Sequence, residues 1–232
     1  MFSDSIAALV RRFLPVACAL CAGRAGESGL CAGCFASLPQ LQAPQCPVCA
    51  VPTPEDRLCG RCLSEPPSFD RVVTALEYGH PVDGLVSALK YRRQLFAARP
   101  LAYCLAQRLE QEPYPDRVLA MPVSHAHLRA RGFNQAMEIA RLACREFGLR
   151  PDTGLATRLP IGAPQASLPW KERRKNVRGA FRCEQDLSGL AVAVVDDVLT
   201  TGATLDELAR VLKRRGARSV VGWICARTPA SH

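Results

Sequence analysis

No run of about 18 apolar residues occurs in this sequence, so no membrane-spanning helix is expected. No low-complexity tract occurs either. With 48% hydrophobic and 22% charged residues, the chain is not disordered as its main state and has ample material for a core. The opening MFSDSIAALVRRFLP does not read as a secretory signal, because its arginines follow the apolar stretch and no small-residue cleavage site appears. No G-x-x-x-x-G-K-[ST] is present, which removes most of the case for a P-loop nucleoside triphosphatase. None of the four histidines stands at a recognisable spacing from a nucleophilic Ser or Cys, so none is given a catalytic role. Aromatic side chains are thinly spread through the basic segments. Trp170 is the only one between residues 165 and 178, and no stacking platform for single strands is visible there.

What the chain does have is basic charge and cysteine. Thirty Lys and Arg against 21 Asp and Glu give a net charge of +9, which favours anionic partners such as phosphates, nucleotides or nucleic acid. Twelve cysteines without an export signal point to a cytoplasmic protein that binds metal rather than forming disulfides. Eight of them form four C-x-x-C pairs: Cys18/Cys21, Cys31/Cys34, Cys46/Cys49 and Cys59/Cys62. The last four positions repeat the first four after 28 residues, as a duplicated module would. A C-x-x-C turn presents two thiolates to one ion, and two such turns close a tetrahedral shell around zinc that leaves no open position. Two structural zinc ions are therefore expected. Sequential pairing of the turns needs only short loops and is preferred, with an interleaved arrangement as the alternative. Cys104, Cys144, Cys183 and Cys225 stand alone in mostly apolar surroundings and read as small buried hydrophobes.

Along the chain, Phe2, Ile6, Leu9 and Phe13 fall on one helical face ahead of Pro15, which suggests a short docking helix. The two prolines in residues 63–70 (LSEPPSFD) mark a boundary. Residues 1–66 are expected to hold this helix and the double zinc module, and residues 67–232 a second domain. From residue 71 strand and helix patterns alternate. Strands are expected at 71–78, 117–123, 154–159, 190–195 and 219–226. Helices are expected at 81–93, 100–111, 134–147, 168–176 and 204–215. Alternation with unbroken apolar strands argues for an α/β fold with a mostly parallel sheet.

The most informative stretch is VAVVDDVLTTGATL, residues 192–205. An apolar strand runs into Asp196 and Asp197, then a small, hydroxyl-rich turn (Thr200, Thr201, Gly202, Ala203, Thr204), then a helix. Backbone N–H groups of such a turn at a helix N-terminus, with threonine hydroxyls beside them, suit a phosphate. Two carboxylates beside a phosphate make sense if they face sugar hydroxyls or Mg²⁺. The plainer alternative is a strand ending in a solvated acidic turn. A second segment, MPVSHAHLRARGFNQA (121–136), puts Val123, Ser124, Arg129 and Arg131 after a strand, where backbone and arginine forks suit pyrophosphate. A third, PQASLPWKERRKNVRGAF (164–181), carries Gln165, Arg173, Arg174 and Asn176 in a strongly basic run. It fits a loop that closes over a polyanion, or equally a solvated basic face.

Residues 192–205 resemble the phosphoribosyl pyrophosphate (PRPP) signature of type I phosphoribosyltransferases. That resemblance implies that residues 200–204 bind the 5-phosphate and that Asp196 and Asp197 hold the ribose 2- and 3-hydroxyls. The hypoxanthine–guanine enzymes carry a further acid three residues after the second aspartate. Thr200 stands there in this chain, which counts against 6-oxopurine salvage. R-G-F-N-Q-A at 131–136, together with P-Q-x-x-L and R-x-x-N-V-x-G-A-F within 164–181, narrows the resemblance to the ComF family, many members of which carry N-terminal zinc ribbons. The resemblance implies a type I phosphoribosyltransferase fold behind a zinc-ribbon module, PRPP with Mg²⁺ or a related ribose phosphate as ligand, and an association with competence or the use of external DNA. If the protein is an enzyme, it would displace pyrophosphate from C1 of the ribose, with an acceptor the sequence does not name. The alternative is a non-catalytic protein that senses nucleotides or handles single-stranded DNA, with DNA-uptake proteins as partners.

Overall fold

The structure is a computed structural model, and it describes residues 16–41, 44–160 and 177–229. The helix expected near the N-terminus and the segment 161–176 lie outside these residues.

The N-terminal part consists of two short knuckle modules. Each ends in a one-turn helix, α1 (Ala32–Ala36) and α2 (Gly60–Ser64), capped by the sulfur of Cys31 and Cys59 respectively. After them come β1 (Arg71–Glu77), α3 (Val82–Arg92), α4 (Ala98–Leu109), β2 (Arg117–Ala120), α5 (His125–Arg131) and α6 (Gln135–Arg145). The chain continues through β3 (Thr157–Arg158), β4 (Phe181–Arg182), β5 (Ala191–Leu199), α7 (Ala203–Arg214) and β6 (Ser219–Arg227). Four strands form one parallel sheet in the order β1-β6-β5-β2, while β3 and β4 pair antiparallel beside it.

The sheet is buried on both faces, and the sequence shows why. Val192, Ala193, Val194 and Val195 are all buried, as a strand covered by helices on either side requires. On one face α4 packs on β1 and β6, α6 packs on β5 and β2, and the two helices pack on each other. On the other, α7 turns Leu205, Leu208, Ala209 and Leu212 inward. Gly222 lets α7 approach β6, since a Cβ there would stand 2.7 Å from Leu205 Cδ2. The left-handed Gly216 (φ +92°) stops α7 as expected, and a Cβ there would meet Ser188 at 2.8 Å.

Several boundaries differ from the sequence reading. β5 runs on through both aspartates to Leu199, because Asp196 and Val198 still pair with β6. The strand expected at 154–159 shrinks to two residues outside the main sheet. Residues 125–131, between the strand expected at 117–123 and the helix expected at 134–147, form α5. Its N-cap is Ser124, whose Oγ accepts from His127 N–H (3.3 Å) and also bonds His127 Nδ1 (2.8 Å).

The knuckle modules pack onto the α/β part as one buried cluster. Leu41 N–H donates to Ala75 O (3.1 Å) and Glu77 N–H to Pro39 O (2.8 Å), so the segment between the knuckles lines the outer edge of β1. The first knuckle pair meets α4 through an edge-on contact of Phe35 with Tyr103 and a bond from Arg99 Nε to Glu27 O (2.7 Å).

Candidate functional site

The carboxyl ends of parallel strands are where open α/β sheets bind ligands. Here they border a cleft of about 310 Å³, lined by Asp196, Asp197, Val198, Thr200 and Thr204 from β5 and the turn after it. Met121, Pro122 and Val123 follow β2 into it, Gln135 enters from α6, and Tyr78, Lys90 and Arg158 complete it. Of the residues singled out in the sequence, the cleft brings together Asp196, Asp197, Thr200, Thr204 and Val123. Thr201 and Gly202 sit at the back of the turn. Ala203 opens α7, and its N–H donates to Thr201 Oγ1 (3.3 Å). Ser124 caps α5. Arg129 is exposed, and Arg131 lies over the Tyr91 ring (5.6 Å) and donates to Gln135 Oε1 (3.0 Å) at the rim. Gln165, Arg173, Arg174 and Asn176 lie outside the described residues.

The turn is built for close approach. Gly202 adopts φ +76° at the N-cap of α7, a conformation that side chains disfavour, and it lies against Phe69. Asn134 of the R-G-F-N-Q-A motif fixes the far wall. Its Oδ1 caps α6 by accepting from Ala136 N–H (3.0 Å), while its Nδ2 donates to Met121 O (3.0 Å). One side chain thus ties the start of α6 to the chain leaving β2.

The two cationic residues of the cleft, Lys90 and Arg158, were not among the candidates offered by the sequence. Lys90 Nζ makes a 2.7 Å ion pair with Asp197 Oδ2, whose side chain is 3% exposed. Burial works against the Lys90 ammonium, but the Asp197 carboxylate outweighs it and raises its pKa. Burial pushes the Asp196 carboxyl up to about 8; adjacent Asp197 pushes the same way, and Lys90 opposes them. Burial lowers the pKa of Arg158, and Asp196 partly offsets this. Arg158 lies over the Phe181 ring at 5.5 Å. His127 is lowered by burial and then by Arg131 and Arg158, so it stays neutral near pH 7. Gln135 is buried as well. No local pattern marks Lys90: it stands in the last turn of α3 beside the exposed Tyr91 and Arg92, and its partner lies far along the chain.

The eight paired cysteines gather in two sets, Cys18/Cys21/Cys31/Cys34 and Cys46/Cys49/Cys59/Cys62, each with all sulfurs within 4.8 Å of one another. The pairing is therefore sequential. A zinc tetrathiolate with 2.3 Å bonds has S···S edges of about 3.8 Å. Cys21 and Cys31 are 3.7 Å apart and Cys49 and Cys59 3.6 Å. The donor chemistry also fits. Burial raises Cys18, yet N–H donors from Cys21 and Cys31 outweigh it and hold the thiol at about 6. Cys46 reaches about 7 in the same way. Cys34, hydrogen-bonded to Cys31 and Cys21, is pushed up to about 12. Four crowded thiols of this kind ionise together only around a cation. Both quartets are thus zinc-ribbon sites with the donors of structural zinc.

Comparison with known proteins agrees. A family model described as a double zinc ribbon domain matches residues 9–63. The DNA utilization protein YhgH of Escherichia coli O6:H1 is 34% identical over 212 residues, 88% of this chain and 92% of that protein. Competence protein F of Haemophilus influenzae is 30% identical over 226 residues, 93% and 98% of the two chains. The chain belongs to the ComF family. Within the ComF frame, the type I phosphoribosyltransferase fold follows a double zinc ribbon. A shorter stretch of 77 residues is 35% identical to ribose-phosphate pyrophosphokinase 2 of Archaeoglobus fulgidus, covering 31% of this chain and 28% of that one. Among solved structures, an asparagine mutant from a study of an invariant aspartic acid in HPRTs covers 58% of this chain and 74% of its own, with 15% identity and a TM-score of 0.32.

Proposed function

We propose that the cleft binds PRPP with Mg²⁺, or a related ribose phosphate, and that this ComF protein is a phosphoribosyltransferase-type protein serving DNA utilisation or competence. The observation that carries the reading is the convergence of the Asp196 and Asp197 carboxylates, the Thr200 and Thr204 turn and two cations, Lys90 and Arg158, on one cleft. Residues 200–204 offer N–H and hydroxyl donors to the 5-phosphate. Asp196, half-buried where Asp197 is buried, accepts from the ribose hydroxyls. Asp197, already held by Lys90, fixes the charge of the pair. When bound with the ligand, Mg²⁺ would neutralise the pyrophosphate. Arg158, Arg131 and the chain at Val123 and Ser124 face the same charge as it leaves C1. The contribution of this chain to catalysis would be positioning and charge stabilisation, with no nucleophile of its own. The names of the relatives supply the DNA context.

The test is calorimetric titration of the zinc-loaded protein with PRPP and Mg²⁺, beside Asp196→Asn and the Asp196→Asn/Asp197→Asn pair. Micromolar binding that is lost in the variants supports the assignment and justifies an acceptor screen. No binding by a folded, zinc-loaded wild type would sink it, and salt-dependent binding to single-stranded DNA would then be measured for the non-catalytic alternative.

A further inference from the structure

A buried cation joins the second zinc-ribbon site to the phosphate turn. Arg227 closes β6 in register with Leu199 of β5 and Glu77 of β1, and is 6% exposed. Its Nε donates to the carbonyl of Cys49 (3.0 Å). Its Nη1 donates to the carbonyls of Leu199 (3.0 Å), Thr200 (2.7 Å) and Thr228 (2.8 Å), and to Thr228 Oγ1 (3.1 Å). Thr228 itself donates N–H and Oγ1 to Leu199 O (3.1 and 3.3 Å). One guanidinium thus holds a zinc knuckle with one edge and the first residues of the phosphate turn with the other.

All of these acceptors are neutral, and a buried guanidinium needs a compensating charge. The quartet Cys46, Cys49, Cys59 and Cys62 supplies it, because four thiolates around one divalent ion leave two net negative charges. The Cys49 carbonyl belongs to the knuckle itself. Cys46 N–H donates to Val51 O (2.8 Å), Ala50 N–H donates to Cys46 O (2.9 Å), and Ala50 takes a left-handed φ of +56°. Closing the knuckle on its ion therefore aims that carbonyl at Arg227. Behind the turn, Phe69 packs on Gly202, and Ser68 N–H donates to Asp206 Oδ1 (2.6 Å). From the first ribbon module, Glu27 and Phe35 go to α4 instead, and the segment after it, at Pro39 and Leu41, goes to the edge of β1.

We infer that Arg227 is a positioning residue through which the second zinc site, and not the first, orders the turn at residues 199–204. By linkage, a ribose phosphate held there must strengthen retention of the second zinc; this reciprocal half rests on the reading of the cleft given above.

The test is hydrogen exchange on the full, zinc-loaded chain and on Cys21→Ser, Cys59→Ser, Arg227→Gln and Arg227→Lys. Amides at 199–204 are expected to exchange about tenfold faster in Cys59→Ser and Arg227→Gln, equivalent to about 1.4 kcal/mol. Cys21→Ser should leave them unchanged, as should all variants the amides at 192–195. Arg227→Lys should restore little, since one ammonium cannot span Cys49 and Thr200 together. Unchanged exchange at the turn in Arg227→Gln overturns the inference, even where Cys59→Ser does not fold. So does an equal response to losing either zinc site. Release of zinc to a chelator, followed with and without ribose 5-phosphate, tests the reciprocal half: one of the two ions should be held about tenfold longer in wild type and not in Arg227→Gln. Binding of ribose 5-phosphate that leaves both release rates unchanged refutes it. If wild type does not bind ribose 5-phosphate, the reading of the cleft fails, while the exchange result still decides the coupling.

Discussion

Replacing Lys90 by Met should expose how much of the cleft depends on one ion pair. The pair spans 2.7 Å, with Lys90 21% and Asp197 3% exposed. At an effective dielectric of 20, Coulomb attraction at this distance is about 6 kcal/mol before desolvation is subtracted. Removing one partner of a buried pair usually costs about 3–5 kcal/mol, because the other charge is left without compensation. The partial exposure of Lys90 places this site at the low end, about 3 kcal/mol. The cost has a definite pH dependence. Lys90 also restrains the Asp196 carboxyl, so without it Asp196 holds its proton more firmly. The deficit should be smaller near pH 6, where that proton is available, and larger near pH 9. The Lys90 pKa is raised, so in wild type its contribution is complete below the unfolded-state value of 10.5 and fades only as pH rises through the higher native one. Urea unfolding of the zinc-loaded protein, followed by circular dichroism at about pH 6 and pH 9, measures this. Adding Asp197→Asn should recover part of the loss, since the stranded charge goes with it. A Lys90→Met protein within about 0.5 kcal/mol of wild type at both pH values would refute the reasoning.

Asp196, held up to about 8, should be largely protonated before a ligand arrives. Affinity for ribose 5-phosphate should then rise with pH until about 8 and level off, with proton release seen as calorimetric heats that vary with the buffer; a flat profile would mean that the carboxylate is not what the sugar meets. The same upward shift from 3.8 makes native stability decline as pH rises through about 8, and Asp196→Asn should remove that decline. Gly222→Ala should destabilise the fold by about 1–3 kcal/mol through its 2.7 Å approach to Leu205, as thermal unfolding would report. Asn134→Ala loses both the cap of α6 and the bond to Met121 and should cost about 1–2 kcal/mol, while Asn134→Asp should retain the cap and lose only the bond to Met121.

Local sequence carries part of the site well. Strand, carboxylates, turn and helix are contiguous in residues 192–205, so their mutual placement follows from one chain segment. The glycine turn could be read because only a few residue types accept its backbone. The apolar runs of β5 and β6 likewise announced a doubly covered sheet. Spacing also showed that the cysteines come in knuckles. Short loops favoured sequential over interleaved quartets, and the fold bears this out; the turn geometry by itself suits both. The end of β5 was misplaced because polar Asp196 and Asp197 look like a strand terminus, whereas pairing with β6 carries the ladder past them.

The sequence by itself determined the kind of protein: two thiolate-rich modules, a parallel α/β sheet and a glycine turn between a strand and a helix, each a matter of local periodicity, spacing and backbone permissiveness. Only the tertiary structure decided the electrostatics. Lys90 reaches Asp197 from α3, Arg158 enters the same cleft as Asp196 from a two-residue strand, and Arg227 spans from a zinc knuckle to the turn after β5. Charges find such partners across the fold, where burial strengthens the attraction and makes an unpaired ion costly. No pattern along the chain records which ones will meet.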